Sequence, residues 1–199
     1  SFIDNAGDKE LLDTIISMNR NYDFSFWKSY KTIINFSRQI MESLNFLHEK
    51  NICHLDIKPE NIMVNTKTRQ FRIIDFGFAC VEPFQDYIDN IRGTPGYFPK
   101  FFPHDKVESW LPRIDALDLI KVNNKIPMQN DYRLVYKIDS YCLGRVIYFI
   151  KSCYKENVVY TCFNLEKLDD KKLDEIINSL IEKDPIKRLT IKECLNKYF

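Results

Sequence analysis

His54-Leu55-Asp56-Ile57-Lys58-Pro59-Glu60-Asn61, followed after a short hairpin by Asp75-Phe76-Gly77, puts four strongly polar side chains on two loops. They are a carboxylate (Asp56), an ammonium (Lys58), an amide (Asn61) and a second carboxylate (Asp75). Between them run the short apolar stretches Ile62-Met63-Val64 and Phe71 to Ile74, which read as two strands. A pair of antiparallel strands returns the chain to the end it left, so a hairpin of this length brings the loops together. Gathered in one place, these groups suit the transfer of a phosphoryl group. One carboxylate orients the attacking hydroxyl and takes its proton, the cation neutralises moving charge, and oxygens hold hard Mg²⁺ ions.

On the N-terminal side, Phe26 to Glu49 is the clearest helix, with Ile33, Phe36, Ile40, Met41, Leu44 and Leu47 recurring at three and four. Asp23 and Ser25 are its candidate caps. Lys9 to Met18 also has helical spacing, after an extended opening with a turn at Asn5-Ala6-Gly7-Asp8. On the C-terminal side, residues 80–137 carry many prolines and little periodicity, which predicts long loops with short helices. Ile138 to Lys151 is apolar enough for a central helix, and Asp169 to Lys183 and Thr190 to Phe199 are amphipathic closing helices. The fold class expected is mainly α with a small β-hairpin region.

Of the 199 residues, 45% are hydrophobic and 29% charged, the balance of a globular protein. Lys plus Arg number 29 against 28 acids, a net charge of +1. Without a basic field, neither nucleic acid nor a membrane surface is an expected partner. The six cysteines are scattered with no CxxC pair, which argues against a secreted disulfide scaffold or a zinc site. Reduced thiols and an intracellular, cytoplasmic location are expected.

The segments His54 to Asn61 and Asp75 to Gly77 together resemble the signature set of eukaryotic-type Ser/Thr protein kinases. The resemblance covers nearly the whole chain and implies a kinase-like C-terminal lobe, with ATP, Mg²⁺ and a protein substrate. It makes Asp56 the catalytic base and Lys58 the γ-phosphate contact, with Asn61 and Asp75 as metal ligands. Asp8, Lys58, Asn61, Met63 and Asp75 form the implied nucleotide-binding set. Glu60 and Thr94 would face the substrate, and His54, Phe76, Gly77, Asp139 and Arg188 would be structural. The Lys58-Pro59-Glu60-Asn61 run and Gly93-Thr94-Pro95-Gly96-Tyr97 both resemble Ser/Thr rather than tyrosine kinases, with Thr94 bonded to Asp56 and Lys58. By itself that pentapeptide reads as two turns.

Asp139 opens Asp-Ser-Tyr-Cys-Leu-Gly, which resembles the start of the family's buried helix, where the Asp holds the catalytic loop. It equally reads as a carboxylate facing the helix macrodipole. Asp184 to Thr190 resembles the last motif, and Gly7-Asp8 the hinge, although a capped helix start explains the latter as well. Glu60 equally reads as a support for its own loop. The implied segments are 1–8 hinge, 52–77 catalytic and metal-binding loops, 78–101 activation and docking segment, 102–137 inserted element and 138–199 helical subdomain.

Three departures shape further expectations. The Gly-rich loop and strand lysine of the family are expected N-terminal to Ser1, so an N-terminal lobe belongs in the parent protein and this chain alone is expected inactive. Leu55 replaces the usual arginine, and Phe78 to Arg92 contains no Ser or Thr, so no Ser/Thr phosphorylation switch is expected there. Pro99-Lys100-Phe101 replaces Ala-Pro-Glu, which leaves Arg188 to find Asp105 or Glu108 or to sit more exposed. A pseudokinase scaffold is the alternative function, opposed by the intact Asp56, Lys58, Asn61 and Asp75. A small-molecule kinase is disfavoured by Gly93 to Tyr97.

Overall fold

A computed structural model describes residues 7–21, 23, 25–27, 29–84, 93–94, 96–99, 133–161 and 167–199. Helix α1 (Leu11–Asn21) turns Leu11, Ile15 and Met18 inward at helical spacing. Helix α2 (Tyr30–His48) buries Tyr30, Ile33, Phe36, Ile40, Met41 and Leu44. It starts later than the expected Phe26, with extended Ser29 at its N-cap, so Asp23 and Ser25 do not cap it. Asp23 instead accepts the Ser25 backbone N–H at 2.9 Å. Phe26 and Trp27 carry helical spacing, yet they lie before the helix and pack as an aromatic plug. Trp27 is fully buried, 5.0 Å from the Phe26 ring and 6.1 Å from Phe36, and its indole N–H donates to Thr14 Oγ1 at 3.2 Å.

Strands β1 (Lys9–Glu10), β3 (Ile62–Asn65) and β4 (Gln70–Ile73) form one antiparallel sheet in the order β1-β3-β4. Lys9 and Glu10, expected to begin a helix, pair instead with Val64 and Met63. Gly7 (φ 147°) allows the approach, because a Cβ there would meet Val64 O at 2.7 Å. The β3–β4 turn is held by Asn65 Oδ1, which accepts the Lys67 and Thr68 N–H groups. Gln39 of α2 then pins the hairpin. Its amide donates to Arg69 O and accepts from Phe71 N–H, both at 3.1 Å. A second ribbon pairs β2 (Ile52–Cys53), an apolar pair that reads as a short strand, with β5 (Cys80–Val81), which opens a region expected to be loops and short helices.

Helix α3 (Arg133–Thr161) begins before and ends after the expected 138–151 span. Ile138, Leu143, Val146, Ile147 and Ile150 lie in the core. Helices α4 (Lys167–Leu180) and α5 (Ile191–Tyr198) close the core against α2 and α3. The N-terminus of α5 is a capping box, with Glu193 N–H on Thr190 Oγ1 at 3.2 Å and Thr190 N–H on Glu193 Oε2 at 2.7 Å. Of the inserted element expected at 102–137, residues 102–132, with Asp105 and Glu108, lie outside the described residues, as do residues 1–6 and 85–92, whereas residues 133–137 belong to α3. Among the described residues no helix is long and apolar enough to cross a membrane.

The Gln39 bridge predicts that Gln39→Ala loosens the hairpin without disturbing the helical core. Urea unfolding should show a loss of about 1–2 kcal/mol, two partly buried hydrogen bonds, and amide exchange should quicken in residues 70–74. Unchanged exchange there would remove Gln39 from the support of the site.

Candidate active site

The site begins with a buried anion. Asp139, with no exposed surface, sits in the first turns of α3 and accepts the backbone N–H of His54 (2.9 Å) and of Leu55 (2.7 Å). His48 Nε2–H, from the end of α2, donates to the same carboxylate at 2.9 Å. Burial pushes the Asp139 carboxyl up, but the His48 hydrogen bond and the donors around it outweigh that, and its pKa lies below the ordinary carboxylate value. Asp139 thus holds the loop as expected, whereas the helix-start expectation is corrected, because α3 begins six residues earlier at Arg133 and its first turn carries no acid. His48, Cys53 and Asp139 also bring one potential ligand atom each within 4.8 Å, but the Asp139 oxygens are engaged by N–H donors. No signal other than its place six residues before His54 pointed to His48.

This anchor fixes the loop that follows. Leu55 is fully buried and takes φ 66°, a left-handed conformation that costs a branched apolar residue roughly 1–2 kcal/mol. His54 Nε2–H donates to Ile74 O at 3.1 Å, tying the loop to the residue before Asp75. A carbonyl only accepts, so the Nδ1 of a neutral His54 is the acceptor for Asp56 N–H at 3.4 Å. The Phe76 ring lies 5.0 Å from His54 and is half exposed.

Asp56, only 6% exposed, receives three side chains. Thr94 Oγ1–H donates to Oδ1 at 2.5 Å, Lys58 Nζ lies 2.9 Å from Oδ2, and Asn61 Nδ2 donates to Oδ2 at 3.0 Å. Lys58 Nζ also donates to Thr94 Oγ1 at 3.0 Å. Burial raises the Asp56 pKa, but Thr94, Lys58 and Asn61 outweigh it and hold the carboxyl below its usual range. Asp56 is thus an anion at neutral pH, able to accept a hydrogen bond from a hydroxyl. Arg145, which no sequence pattern singled out, donates to Gly96 O at 3.0 Å and steadies the segment that carries Thr94.

The two Asn61 amide hydrogens are spent on Asp56 O (2.9 Å) and Oδ2, which leaves Oδ1 as the atom to offer a cation. Ile74 N–H donates to Asn61 O at 2.9 Å, so the hairpin delivers Asp75 beside Asn61. Asp75 is exposed, takes φ 59°, and accepts Gly77 N–H on Oδ1 at 3.0 Å. An amide oxygen and a carboxylate on adjoining loops fit a hard divalent cation such as Mg²⁺.

The other expected site residues have partners of their own. Asp8 is exposed and binds the Thr66 N–H and hydroxyl at the β3–β4 turn, which lower its pKa. Met63 is half-buried on β3, paired with Glu10 and Arg72. Arg188 is 1% exposed, so of the two expectations the more exposed position is ruled out, while Asp105 and Glu108 lie outside the described residues. It donates to Glu182 O at 2.9 Å and Lys137 O at 3.1 Å and lies 4.8 Å from the Tyr141 ring centre. Carbonyl dipoles and an aromatic face make its burial tolerable, and burial pulls its pKa down to about 10.

Replacing Asp139 by Asn should cost about 3–5 kcal/mol, because the amide cannot accept all three donors and sets its own N–H against them. The depressed carboxyl pKa gives a sign. Its stabilisation is present above the unfolded carboxylate value and is lost as pH falls through the lower folded value. Wild type should therefore lose stability in acid more steeply than Asp139→Asn in urea titrations. Parallel pH profiles would contradict the anchor.

Residues 5–199 match the model of the protein kinase domain. The chain is similar to the phosphorylase b kinase gamma catalytic chain, liver/testis isoform, of Bos taurus, 28% identical over 175 residues that make up 86% of this chain and 41% of that one. It resembles serine/threonine-protein kinase 17A of Oryctolagus cuniculus at 26% over 172 residues, 83% of this chain and 39% of the relative. With serine/threonine-protein kinase nekl-2 of Caenorhabditis elegans it shares 33% over 135 residues, 64% of this chain and 38% of the relative. The chain thus spans about two fifths of the length of these relatives. A family match over almost every residue agrees with two loops locked to one buried aspartate, and this chain belongs to the protein kinase domain family.

Proposed function

We propose that these residues carry out transfer of the ATP γ-phosphoryl group to a serine or threonine hydroxyl of a protein, as part of a longer kinase. The observation that carries the proposal is the hydrogen-bonded group Asp56–Lys58–Thr94–Asn61, joined through Asn61 O and Ile74 N–H to the loop of Asp75. Asp56 holds the acceptor hydroxyl in line and receives its proton, which its charged state at neutral pH favours. Lys58, on the same carboxylate, is placed to meet negative charge on the transferring group. Asn61 Oδ1 and Asp75 are the residues that would hold Mg²⁺. When bound, the ion would neutralise phosphate charge. Thr94 fixes the docking segment to the base, so an acceptor residue laid on that segment meets Asp56.

Because the chain spans about two fifths of the length of its relatives, the tests belong to the full-length protein. In that protein Asp56→Asn should lower phosphotransfer by about a hundredfold or more while nucleotide binding survives, since a general base acts on the transition state. Equal turnover of the two proteins would refute the assignment.

Glu60 supports a substrate preference. Its Oε2 is shielded from solvent and without a hydrogen-bond partner, next to the docking segment, where its charge reaches Tyr97. A buried, unpaired carboxylate oxygen is costly and is relieved by a guanidinium. Peptide-library phosphorylation should show a few-fold preference for a basic residue upstream of the acceptor, reduced in Glu60→Gln, because a partly exposed pair adds about 0–1 kcal/mol. An identical preference in both proteins would return Glu60 to a role in its own loop.

A further inference from the structure

Cys53 and Cys80 face each other across the β2–β5 ribbon. Glu82 N–H donates to Asn51 O at 2.9 Å, which makes that neighbouring pair hydrogen-bonded. Alternation along an antiparallel ladder makes Cys53 and Cys80, two positions on, another hydrogen-bonded pair with Cα atoms about 5.5 Å apart. Directly opposed side chains share one face of the ribbon. A Cα separation of about 5.5 Å is within the usual disulfide range, although the Cβ atoms must draw together from about 5 Å to about 4 Å.

We infer that Cys53 and Cys80 form a reversible dithiol–disulfide pair that clamps the ribbon between the catalytic loop and the metal loop. Exposure sets the order of events. Cys80 is half-buried, whereas Cys53, Cys142, Cys153 and Cys194 are all buried. Among the described cysteines a peroxide therefore reaches Cys80 first, and the thiol becomes a sulfenic acid as one water leaves. The Cys53 sulfur then attacks the Cys80 sulfur, and its proton departs with the sulfenic hydroxyl as a second water. Two thiols lose two electrons and two protons in all, and hydrogen peroxide is reduced to two waters. The Cβ contraction strains the link, which keeps it open to reduction by a small dithiol.

The clamp falls where it matters for the proposed chemistry. Cys53 directly precedes His54, whose N–H rests on Asp139, and Cys80 closes the segment that starts at Asp75. Drawing the strands together pulls on both loops, so oxidation should lower phosphotransfer. That consequence rests on the kinase reading, whereas the crosslink does not.

The test treats the full-length protein with hydrogen peroxide, blocks remaining thiols with N-ethylmaleimide and maps the peptides by mass. The expected product is one crosslink between the Cys53 and Cys80 peptides, about 2 Da lighter than the reduced pair, restored by dithiothreitol and absent in Cys80→Ser. Further oxidation of Cys80 with no crosslink, or crosslinks joining other cysteines instead, would overturn the inference. Phosphotransfer should fall about five-fold or more with the crosslink and recover with dithiothreitol, while Cys80→Ser stays insensitive to peroxide. Equal inhibition of Cys80→Ser would overturn the regulatory role. A reduced protein with no phosphotransfer would count against the kinase reading, and the mapped crosslink would stand.

Discussion

A carboxylate with no exposed surface, Asp139, accepts two consecutive backbone N–H groups and an imidazole N–H. Removing a charge from water costs several kcal/mol unless its lone pairs are filled, so α2, α3 and the loop at His54–Leu55 are bound to one arrangement. Other features follow from that lock. Leu55 accepts a left-handed backbone because its N–H is claimed and its side chain is buried. His54 then points at Ile74 O, and the hairpin pinned by Gln39 brings Asn61 and Asp75 to the same place. Rigid helices supply the anchor, and short loops supply the chemistry.

The electrostatics of the site have the same logic. Asp56 is nearly buried yet held charged, because three side chains donate to it. One of them, Thr94, comes from a segment far along the chain, so the hydrogen bonding of Asp56 is completed only when that segment is in place. A carboxylate that already receives several donors is a weak proton acceptor in the resting state. It is suited to a reaction in which the proton moves late. The Leu55 side chain is fully buried in the apolar core beside this loop.

Much of this was legible in the sequence because phosphoryl transfer demands particular residue types at fixed spacing. Asp56, Lys58, Asn61 and Asp75 could be read as a set, and the strands around them had β-type apolar pairs. Ile52-Cys53 was legible as a short apolar strand, but its partner β5 was not, since a two-residue strand has no period. The start of α2 was misplaced because Phe26 and Trp27 satisfy helical spacing while packing from a loop. Arg188 was expected either to find Asp105 or Glu108 or to sit more exposed, because its acid partner is missing from the motif. Its burial depends on two carbonyls and the Tyr141 ring, contacts that no local pattern encodes. His48 and Arg145 escaped for the same reason, as each meets its partner across many tens of residues.

The central claim is that two loops held on Asp139 assemble a Mg²⁺-dependent phosphotransfer site. Its most direct measurement is label transfer from γ-labelled ATP to a protein acceptor by the full-length protein, followed by phosphoamino-acid analysis, with Mg²⁺ present and with Mg²⁺ chelated. The account predicts labelled phosphoserine or phosphothreonine with Mg²⁺ and none without it. Nucleotide bound with no labelled protein, or transfer indifferent to chelation, would contradict it.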